Sequence, residues 1–218
     1  MTLPRTPSFR LDGRRALITG GSRGIGFGAA AALAEAGAEV TITARTAPAV
    51  AAAEAALRAA GFGARGHVLD VTDIAMADRF VAGEAPYQIL VNSAGLARHS
   101  PIAGINVPDY DAVMDVNVKA ALFLSRAVAQ KLRSAGLPGS IINISSQMGH
   151  VGGPNRIVYS ASKFAMEGMT RSMAIELGPD GIRVNTICPT FIETELTARS
   201  LSDKDFRAWV LSKIKLGR

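Results

Sequence analysis

The chain has 218 residues, 48% of them hydrophobic and 19% charged, which suits a single domain that needs no second core. Its formal net charge of +6 comes from scattered basic residues without a recognisable RNA- or DNA-binding motif, so we predict no nucleic-acid partner. No apolar run reaches the roughly eighteen residues that a membrane-spanning helix needs, and we predict no membrane partner.

The amino terminus, residues 1–10, has the composition of a tail and not of a secretory leader, because Pro4, Arg5 and Pro7 interrupt any hydrophobic segment. The folded domain is predicted to cover residues 11–218. Cys188 is the only cysteine, so the chain can form no internal disulfide, and we predict a reducing, cytoplasmic location. We expect Cys188 to be a small buried side chain and not a nucleophile.

The first apolar run, residues 15–19, leads into the sequence T-G-G-S-R-G-I-G, and an alanine-rich stretch follows it. This order predicts a strand, a tight glycine turn and a helix. Gly20, Gly24 and Gly26 can adopt backbone conformations that are closed to other residues, and they leave room for a ligand beside the main chain. A pyrophosphate would bind to the free N–H groups of the helix terminus. A glycine turn without a ligand is the alternative interpretation.

The second predicted strand, residues 38–43, is followed by Arg45 and lacks the carboxylate that an NAD site usually places there for the ribose. Arg23 lies within the glycine turn. Guanidinium groups match the geometry of a phosphate, so we predict NADP as the cofactor and NAD as the poorer one. The alternative is that both arginines are ordinary surface residues.

Further apolar runs alternate with helical stretches along the rest of the chain. Strands separated by helices predict parallel pairing through right-handed crossovers. We therefore predict an α/β fold, a single-domain Rossmann-type doubly wound parallel sheet with the strand order 3-2-1-4-5-6. The strands are predicted at 15–19, 38–43, 66–70, 88–92, 140–145 and 182–188, and the helices at 24–36, 47–60, 73–83, 108–135 and 157–177.

Tyr159 and Lys163 stand four residues apart in a predicted helix, and Ser146 precedes the tyrosine by thirteen residues. An i, i+4 pair lies on one helix face, so the ammonium group can reach the phenol. A nearby cation lowers the pKa of a tyrosine from its usual value of about 10, which suits general acid–base chemistry on a carbonyl or alcohol oxygen. The pair alone is also common on solvated helix faces, and a serine after a strand often bonds only to the backbone.

These motifs resemble those of the short-chain dehydrogenase/reductase family, and the similarity extends from residue 11 to residue 218. Residues 69–72 are similar to the family's adenine-contacting segment, and residues 92–95 to its N-N-A-G motif, with Ser93 in place of the second Asn. The resemblance implies a catalytic set of Asn117, Ser146, Tyr159 and Lys163. It implies a cofactor-binding set of Gly20, Ser22, Arg23, Gly24, Ile25, Gly26, Arg45, Asp70, Val71, Asn92, Ala94, Gly95, Tyr159, Lys163, Pro189, Ile192 and Thr194.

The resemblance also implies a role for each member of the catalytic set. Ser146 would donate a hydrogen bond to the substrate oxygen, and Tyr159 would deliver or accept the proton there while hydride moves between the carbon atom and the nicotinamide. Lys163 would hold the nicotinamide ribose and stabilise the tyrosinate. Asn117 would hold a water molecule that links Lys163 to solvent. The implied activity is an NADP-dependent interconversion of a carbonyl and an alcohol.

In the family, the segment that corresponds to residues 190–218 forms a lid over the substrate, although a simple surface helix fits this sequence equally well. Thr190 replaces the usual glycine after Pro189, and a positive φ there would be costly, so we expect a slightly different loop. Family members usually continue with another helix and a seventh strand, which this sequence lacks. The strand at 182–188 is therefore expected at the edge of the sheet.

Substrate contacts are predicted for Ser146, Met148, His150 and Tyr159. The other histidines, His67 and His99, lack metal-ligand spacing and are interpreted as structural, and no metal site is predicted.

The carboxy-terminal sequence is similar to that of family members acting on sugar acids and polyols, such as gluconate dehydrogenases. A 3-oxoacyl thioester reductase is the enzymatic alternative, and a nucleotide-sensing or scaffolding protein without turnover is the alternative of another class. We expect a homodimer or homotetramer formed through the helices at 108–135 and 157–177.

Overall fold

A parallel sheet of six strands forms the centre of the protein in a computed structural model that describes residues 3, 6 and 8–217. Its strand order is β3-β2-β1-β4-β5-β6, so the predicted doubly wound fold is confirmed. Half of the predicted tail, 1–10, and Arg218 lie outside the described residues. The strands are Arg15–Thr19 (β1), Glu39–Ala44 (β2), Ala64–Val68 (β3), Ile89–Asn92 (β4), Gly139–Ile144 (β5) and Ile182–Ile187 (β6).

Helices cover both faces of this sheet and extend beyond its last strand. Among the described residues, no helix is long and apolar enough to cross a bilayer. The helices are Gly24–Glu35 (α1), Ala47–Ala59 (α2), Ile74–Gly83 (α3), Val107–Met114 (α4), Ala121–Ala135 (α5), Ile157–Leu177 (α6), Glu195–Leu201 (α7) and Lys204–Lys213 (α8).

Two apolar cores lie on the two faces of the sheet because successive side chains of a strand point in opposite directions. In β1, Leu17 packs into the core shared with α3, α5 and the end of α6. Its neighbours Ala16 and Ile18 pack into the core shared with α1 and α2. All three side chains are fully buried. This double coverage fixes the central strands, so that the loops after their carboxyl ends meet along one edge of the sheet.

Two predicted elements differ from the observed ones. Strand β3 begins and ends two residues earlier than predicted, because Leu69 is buried in the core after the strand has ended and prolongs the apolar pattern. The single helix predicted at 108–135 is divided into α4 and α5 by a π-helical segment, Asp115–Ala120. Such wide turns add a residue locally and often occur at functional sites.

The last strand, β6, pairs only with β5 in the described part of the chain, and Ile187 at its end is half exposed. The predicted edge position is therefore observed. Asn155 is the only non-glycine residue with positive φ among those described, so the loop after Pro189 accommodates Thr190 without left-handed strain.

Candidate active site

The glycine turn after β1 is shaped by close contacts that exclude side chains. Gly20 and Gly24 have φ angles of +61° and +54°, which favour glycine. A Cβ atom on Gly20 would lie 2.9 Å from the Cα of Ala94, and one on Gly26 would lie 2.4 Å from the carbonyl oxygen of Gly20. Helix α1 begins here without a side-chain cap and without an acidic residue in its first turn. Its N–H groups and open backbone fit a phosphate group.

One hydroxyl group joins this turn to the segment after β4. Oγ1 of Thr19 accepts hydrogen bonds from the backbone N–H groups of Ser93 and Ala94, each at 3.1 Å. The side chain of Asn92 instead points into the protein, where its amide donates to Asn143 at 2.8 Å and Ser125 at 2.9 Å. The buried side chain of Asn92 thus links β4 to β5 and α5 through hydrogen bonds. Only its main chain borders the predicted cofactor site.

Helix α6 presents Tyr159 and Lys163 on one face, as the spacing predicts. The ammonium nitrogen of Lys163 lies 5.7 Å from the centre of the Tyr159 ring and donates a hydrogen bond to the carbonyl oxygen of Ile144 at 2.8 Å. Lys163 is only 4% exposed, and this burial lowers its pKa to about 8. Nearby Cys188 and Glu167 act in the opposite direction by favouring the charged form.

The expectation that Lys163 holds the pKa of Tyr159 below its usual value is wrong for this structure. Burial raises the pKa of Tyr159, and this effect exceeds the lowering caused by a hydrogen bond with Ser146 and by the charge of Arg156. The ammonium group of Lys163 is directed to the carbonyl oxygen of Ile144 instead. The phenol therefore favours its protonated form, as a proton donor to a carbonyl oxygen requires.

Ser146 lies just past the end of β5 and is buried. Its Oγ atom accepts a hydrogen bond from the backbone N–H of Met148 at 3.1 Å, which leaves the hydroxyl proton free to be donated. Ser146 also lies near enough to Tyr159 to lower the pKa of the phenol, so the two hydroxyl groups are neighbours in the site.

The fully buried Asn117 lies inside the π-helical segment. Its amide binds the backbone of Leu96 on both sides, accepting at 2.8 Å and donating at 2.9 Å, and it donates to Ser162 at 3.0 Å. Asn117 thus fastens the segment after β4 to α6, one residue before Lys163. Its side chain braces the site, and its predicted contact with a water molecule stays a prediction.

A sequence model described as short chain dehydrogenase matches residues 14–205. The chain belongs to this family. It is an oxidoreductase acting on CH–OH groups. The family resemblance carried by the glycine turn and the α6 pair is thereby confirmed.

Several similar proteins are named as dehydrogenases or reductases of sugars, sugar acids or polyols. Gluconate 5-dehydrogenase of Gluconobacter oxydans is 37% identical, with 96% of this chain and 83% of that protein covered. D-erythrulose reductase of Gallus gallus is also 37% identical, with 97% and 85% covered. Among solved structures, a gluconate 5-dehydrogenase from Burkholderia cenocepacia J2315 in complex with NADP and tartrate is 37% identical, with a TM-score of 0.90 over 97% of this chain and 84% of that one.

In this short-chain dehydrogenase, the predicted adenosine side lies after β2 and β3. Arg45 is exposed, and its charge contributes to the low pKa of Asp70, which results mainly from a backbone hydrogen bond from Thr72. Arg23 points elsewhere, since it pairs with Glu195 of α7 at 2.7 Å. The structure therefore does not bring the two guanidinium groups onto a common position. Of the predicted cofactor residues, Val71 is buried in one apolar core, and Ile25 packs against the other.

The segment after β6 reaches back over the glycine turn. A Cβ atom on Gly24 would lie 3.4 Å from Cγ2 of Thr194, and the backbone N–H of Gln147 binds the carbonyl oxygen of Pro189 at 3.0 Å. Thr194 caps α7, and its neighbour Ile192 uses its carbonyl oxygen to accept from Thr197 at 2.6 Å. Pro189 and Thr194 thus lie beside the predicted site residues of β5 and β1.

Sequence reasoning missed two groups beside Tyr159. The ring of His99 meets that of Tyr159 edge-on at 6.0 Å, and desolvation together with Arg156 lowers the pKa of His99. Arg156 also influences Tyr159 itself. Neither residue forms a motif, because their proximity arises from the path of the loops. A histidine with an aromatic or catalytic neighbour cannot be found from spacing when the partner is 60 residues away.

The predicted substrate residue His150 contacts two residues that the sequence did not link to it. Its Nε2 atom is 3.3 Å from the sulfur of Cys188 and 3.8 Å from a carboxylate oxygen of Glu167. Cys188 is partly buried, not fully buried as expected, and its thiol donates to Glu167. Met148, in contrast, lies beside Ser146 and near Gly153.

Proposed function

We propose that the chain is an NADP-dependent oxidoreductase that interconverts a carbonyl group and an alcohol on a small sugar acid or polyol. The observation that carries this proposal is the position of the Lys163 ammonium group 5.7 Å from the centre of the Tyr159 ring, with Ser146 near enough to influence the pKa of the phenol, at the same sheet edge as the glycine turn. Two hydroxyl groups and one buried ammonium group form a site for a carbonyl oxygen, and the turn supplies the place for a dinucleotide phosphate. Similar enzymes crystallised with NADP support this choice of cofactor.

The residues divide the reaction between them. NADPH would supply the hydride when the carbonyl group is reduced, NADP would accept it when the alcohol is oxidised, and the pyrophosphate of the cofactor would bind at the start of α1. Ser146 donates a hydrogen bond to the substrate oxygen, which orients the carbonyl group and favours negative charge on that oxygen. Tyr159 donates its proton to the same oxygen. In the opposite direction of reaction, the phenolate accepts it.

Lys163 and Asn117 are both buried and support this arrangement. We propose that the ammonium group of Lys163, 5.7 Å from the centre of the Tyr159 ring, offsets part of the cost that burial imposes on the tyrosinate, because a nearby positive charge favours the phenolate. Asn117 fastens α6 to the segment after β4, which keeps Tyr159 in reach of a substrate next to the glycine turn. We propose that proton replacement passes Lys163 on its way from solvent.

The cationic groups near Tyr159 favour an anionic substrate. The positive charge of Arg156 reaches both Tyr159 and His99, and its guanidinium group donates to the backbone of Pro154 at 3.2 Å, so other donor groups stay available. A carboxylate on the substrate would pair with such a group. The sugar-acid class fits this charge, and a gluconate 5-dehydrogenase holding tartrate, a dicarboxylate, supports it.

Two further assignments extend the proposal. We propose residues 190–218 as the lid over the substrate, because Phe191, in the loop before α7, contacts Phe206 of α8, with ring centres 5.6 Å apart. We also propose that copies of the chain associate through α5 and α6. Phe164 and Ile175 on α6 are 50% and 81% exposed, which is apolar area suited to a contact between subunits.

A panel of sugar acids, neutral ketoses, polyols and acyl thioesters tests the proposal with NADPH and NADP. We expect turnover of sugar acids, and loss of nearly all of it in Tyr159→Phe, with cofactor binding retained. Tyr110→Phe, which alters an exposed tyrosine of α4, is the matched control and should keep the full rate. Arg156→Gln should raise KM for acids by roughly 10- to 100-fold and leave neutral ketoses unaffected.

The outcomes separate the rival functions. A preference for acyl thioesters would indicate a 3-oxoacyl reductase, and cofactor binding without any turnover would indicate a sensing protein. A normal rate in Tyr159→Phe would remove this tyrosine from its role.

A further inference from the structure

Three side chains capable of binding a metal meet where β6 ends. His150 comes from the segment after β5, Glu167 from the middle of α6, and Cys188 follows the last residue of β6. Their ligand atoms all lie within 4.8 Å of one another. The reaction proposed above uses none of the three, so their convergence calls for an explanation of its own.

The distances fit a tetrahedral zinc ion. The sulfur of Cys188 lies 3.3 Å from Nε2 of His150 and 3.3 Å from Oε1 of Glu167, and Nε2 lies 3.8 Å from Oε2 of the glutamate. With ordinary Zn–S and Zn–N or Zn–O bond lengths, tetrahedral ligands are separated by about 3.3–3.6 Å. Each of these three separations is within about half an ångström of that range, although the thiol and the imidazole approach different oxygens of the carboxylate.

The donor set also indicates zinc. A thiolate, an imidazole and a carboxylate are the ligand types of zinc sites, whereas Mg²⁺ and Ca²⁺ prefer oxygen alone. The side chain of Glu167 is only 8% exposed and that of His150 is 47% exposed. The cluster therefore has a protein side and a solvent side, and the solvent side can provide water as the fourth ligand.

The surrounding groups hold the carboxylate in place. The hydroxyl of Thr186 donates to Oε2 of Glu167 at 3.3 Å, in the way that outer partners orient metal ligands. The other carboxylate oxygen, Oε1, accepts a hydrogen bond from the thiol of Cys188 at 3.3 Å.

Without metal, the same atoms form a hydrogen-bonded cluster in which the thiol of Cys188 donates to Glu167. A zinc ion would replace the thiol proton, which passes to solvent, and would bind the resulting thiolate. The two states need nearly the same positions of all three side chains. Metal binding would thus require little rearrangement.

We propose that His150, Glu167 and Cys188 bind one Zn²⁺ ion, with water as the fourth ligand. The ion would tie together the three segments that carry the catalytic frame. His150 lies four residues after Ser146, Glu167 lies one helical turn after Lys163, and Cys188 directly precedes the loop that leads to the lid. The site would be structural, and its occupancy would raise the thermal stability of the fold.

Cobalt(II) added to the full chain tests this assignment, because a Co²⁺–thiolate bond gives a charge-transfer band in the near ultraviolet. We expect this band to saturate at one equivalent, to vanish in Cys188→Ser and to be displaced by Zn²⁺. His150→Ala and Glu167→Gln should weaken Zn²⁺ binding at least about tenfold, and Thr186→Val by about 10- to 100-fold, since loss of an outer partner costs that much.

A matched control is His67→Ala, which removes an exposed histidine that stacks on Phe80 at the other end of the sheet and should bind Zn²⁺ like the original chain. One equivalent of Zn²⁺ should raise the unfolding midpoint of the original chain and not that of Cys188→Ser. Circular dichroism and NADPH binding verify that each variant is folded. Absence of the band, or equal Zn²⁺ affinity in His150→Ala and Glu167→Gln, would overturn the proposal. Because no step measures turnover, its failure is independent of the proposed activity.

Discussion

The glycine turn and the lid face each other across the site but are held by different interactions. The turn is fixed by backbone atoms in contact, with 2.9 Å between an added Cβ on Gly20 and Ala94. The proposed lid is linked to the turn by an exposed ion pair between Arg23 and Glu195. Exposed pairs contribute little to stability, whereas a steric contact cannot be relaxed cheaply. We therefore expect the turn to be the rigid side of the site and the proposed lid to be the side that opens.

The largest effect on stability and cofactor binding should come from Gly20→Ala, which disrupts the glycine turn. The new methyl group would meet Ala94 and would force an alanine into positive φ, so we expect a loss of about 3 kcal/mol or more in the free energy of unfolding and at least a hundredfold weaker NADPH binding. Urea denaturation and a binding titration measure both.

The control for this variant is Gly28→Ala in α1, where an added Cβ meets nothing within 4 Å and φ is ordinary. It should stabilise the protein by up to about 1 kcal/mol. Equal effects of the two substitutions would show that the turn is not sterically constrained.

The pH dependence of stability tests the burial of Lys163, which lies on the rigid side of the site. Burial lowers the pKa of Lys163 from 10.5 to about 8, so the folded state loses this proton before the unfolded state does. Stability should therefore rise with pH between about 8 and 10.5, by on the order of 3 kcal/mol relative to Lys163→Met. Glu167 and Cys188 face the ammonium group and limit the shift.

Unfolding measurements at pH 7, 8, 9 and 10 provide the comparison. Lys119→Met removes an exposed lysine next to Asp115 and should give a pH profile parallel to that of the original chain. Parallel profiles for Lys163→Met and the original chain would contradict a buried, strained ammonium group.

A moderate effect is expected from Arg45→Ala at the outer end of the rigid side. If Arg45 binds the extra phosphate of NADP, its removal should lower the preference for NADPH over NADH by roughly 10- to 100-fold. The ratio of kcat/KM for the two cofactors measures this, with Arg171→Ala on α6 as the control. An unchanged ratio would leave Arg45 an ordinary surface residue.

The smallest effect should come from the lid. In a double-mutant cycle of Arg23→Ala and Glu195→Gln, we expect a coupling energy below about 1 kcal/mol that decreases with added salt. Thermal unfolding of the four proteins gives this value. A coupling above about 2 kcal/mol would mean that the lid is fixed as firmly as the turn, and the contrast between the two regions would fail.

The rigid side was also the more predictable from sequence. Gly20, Gly24 and Gly26 reveal their role because only glycine tolerates these backbone positions, and Tyr159 and Lys163 because a helix converts spacing into proximity. Strand order follows from the alternation of strands and helices. In each case a local rule determines the three-dimensional result.

Features made by distant loops were not predictable in this way. The approach of His99 to Tyr159 and the meeting of His150 with Cys188 depend on how three segments end at the sheet edge. The π-helical turn at 115–120 leaves no clear sequence signal, because its composition is that of an ordinary helix. The pKa of Tyr159 was mispredicted because burial, which spacing does not report, has the largest influence.

The uncapped start of α1 has a practical consequence for any assay of this protein. Small oxyanions such as sulfate and inorganic phosphate are drawn to the same backbone groups as a dinucleotide. Buffers that contain them would compete with the coenzyme and make its apparent affinity too low. A zwitterionic buffer of low ionic strength avoids this competition.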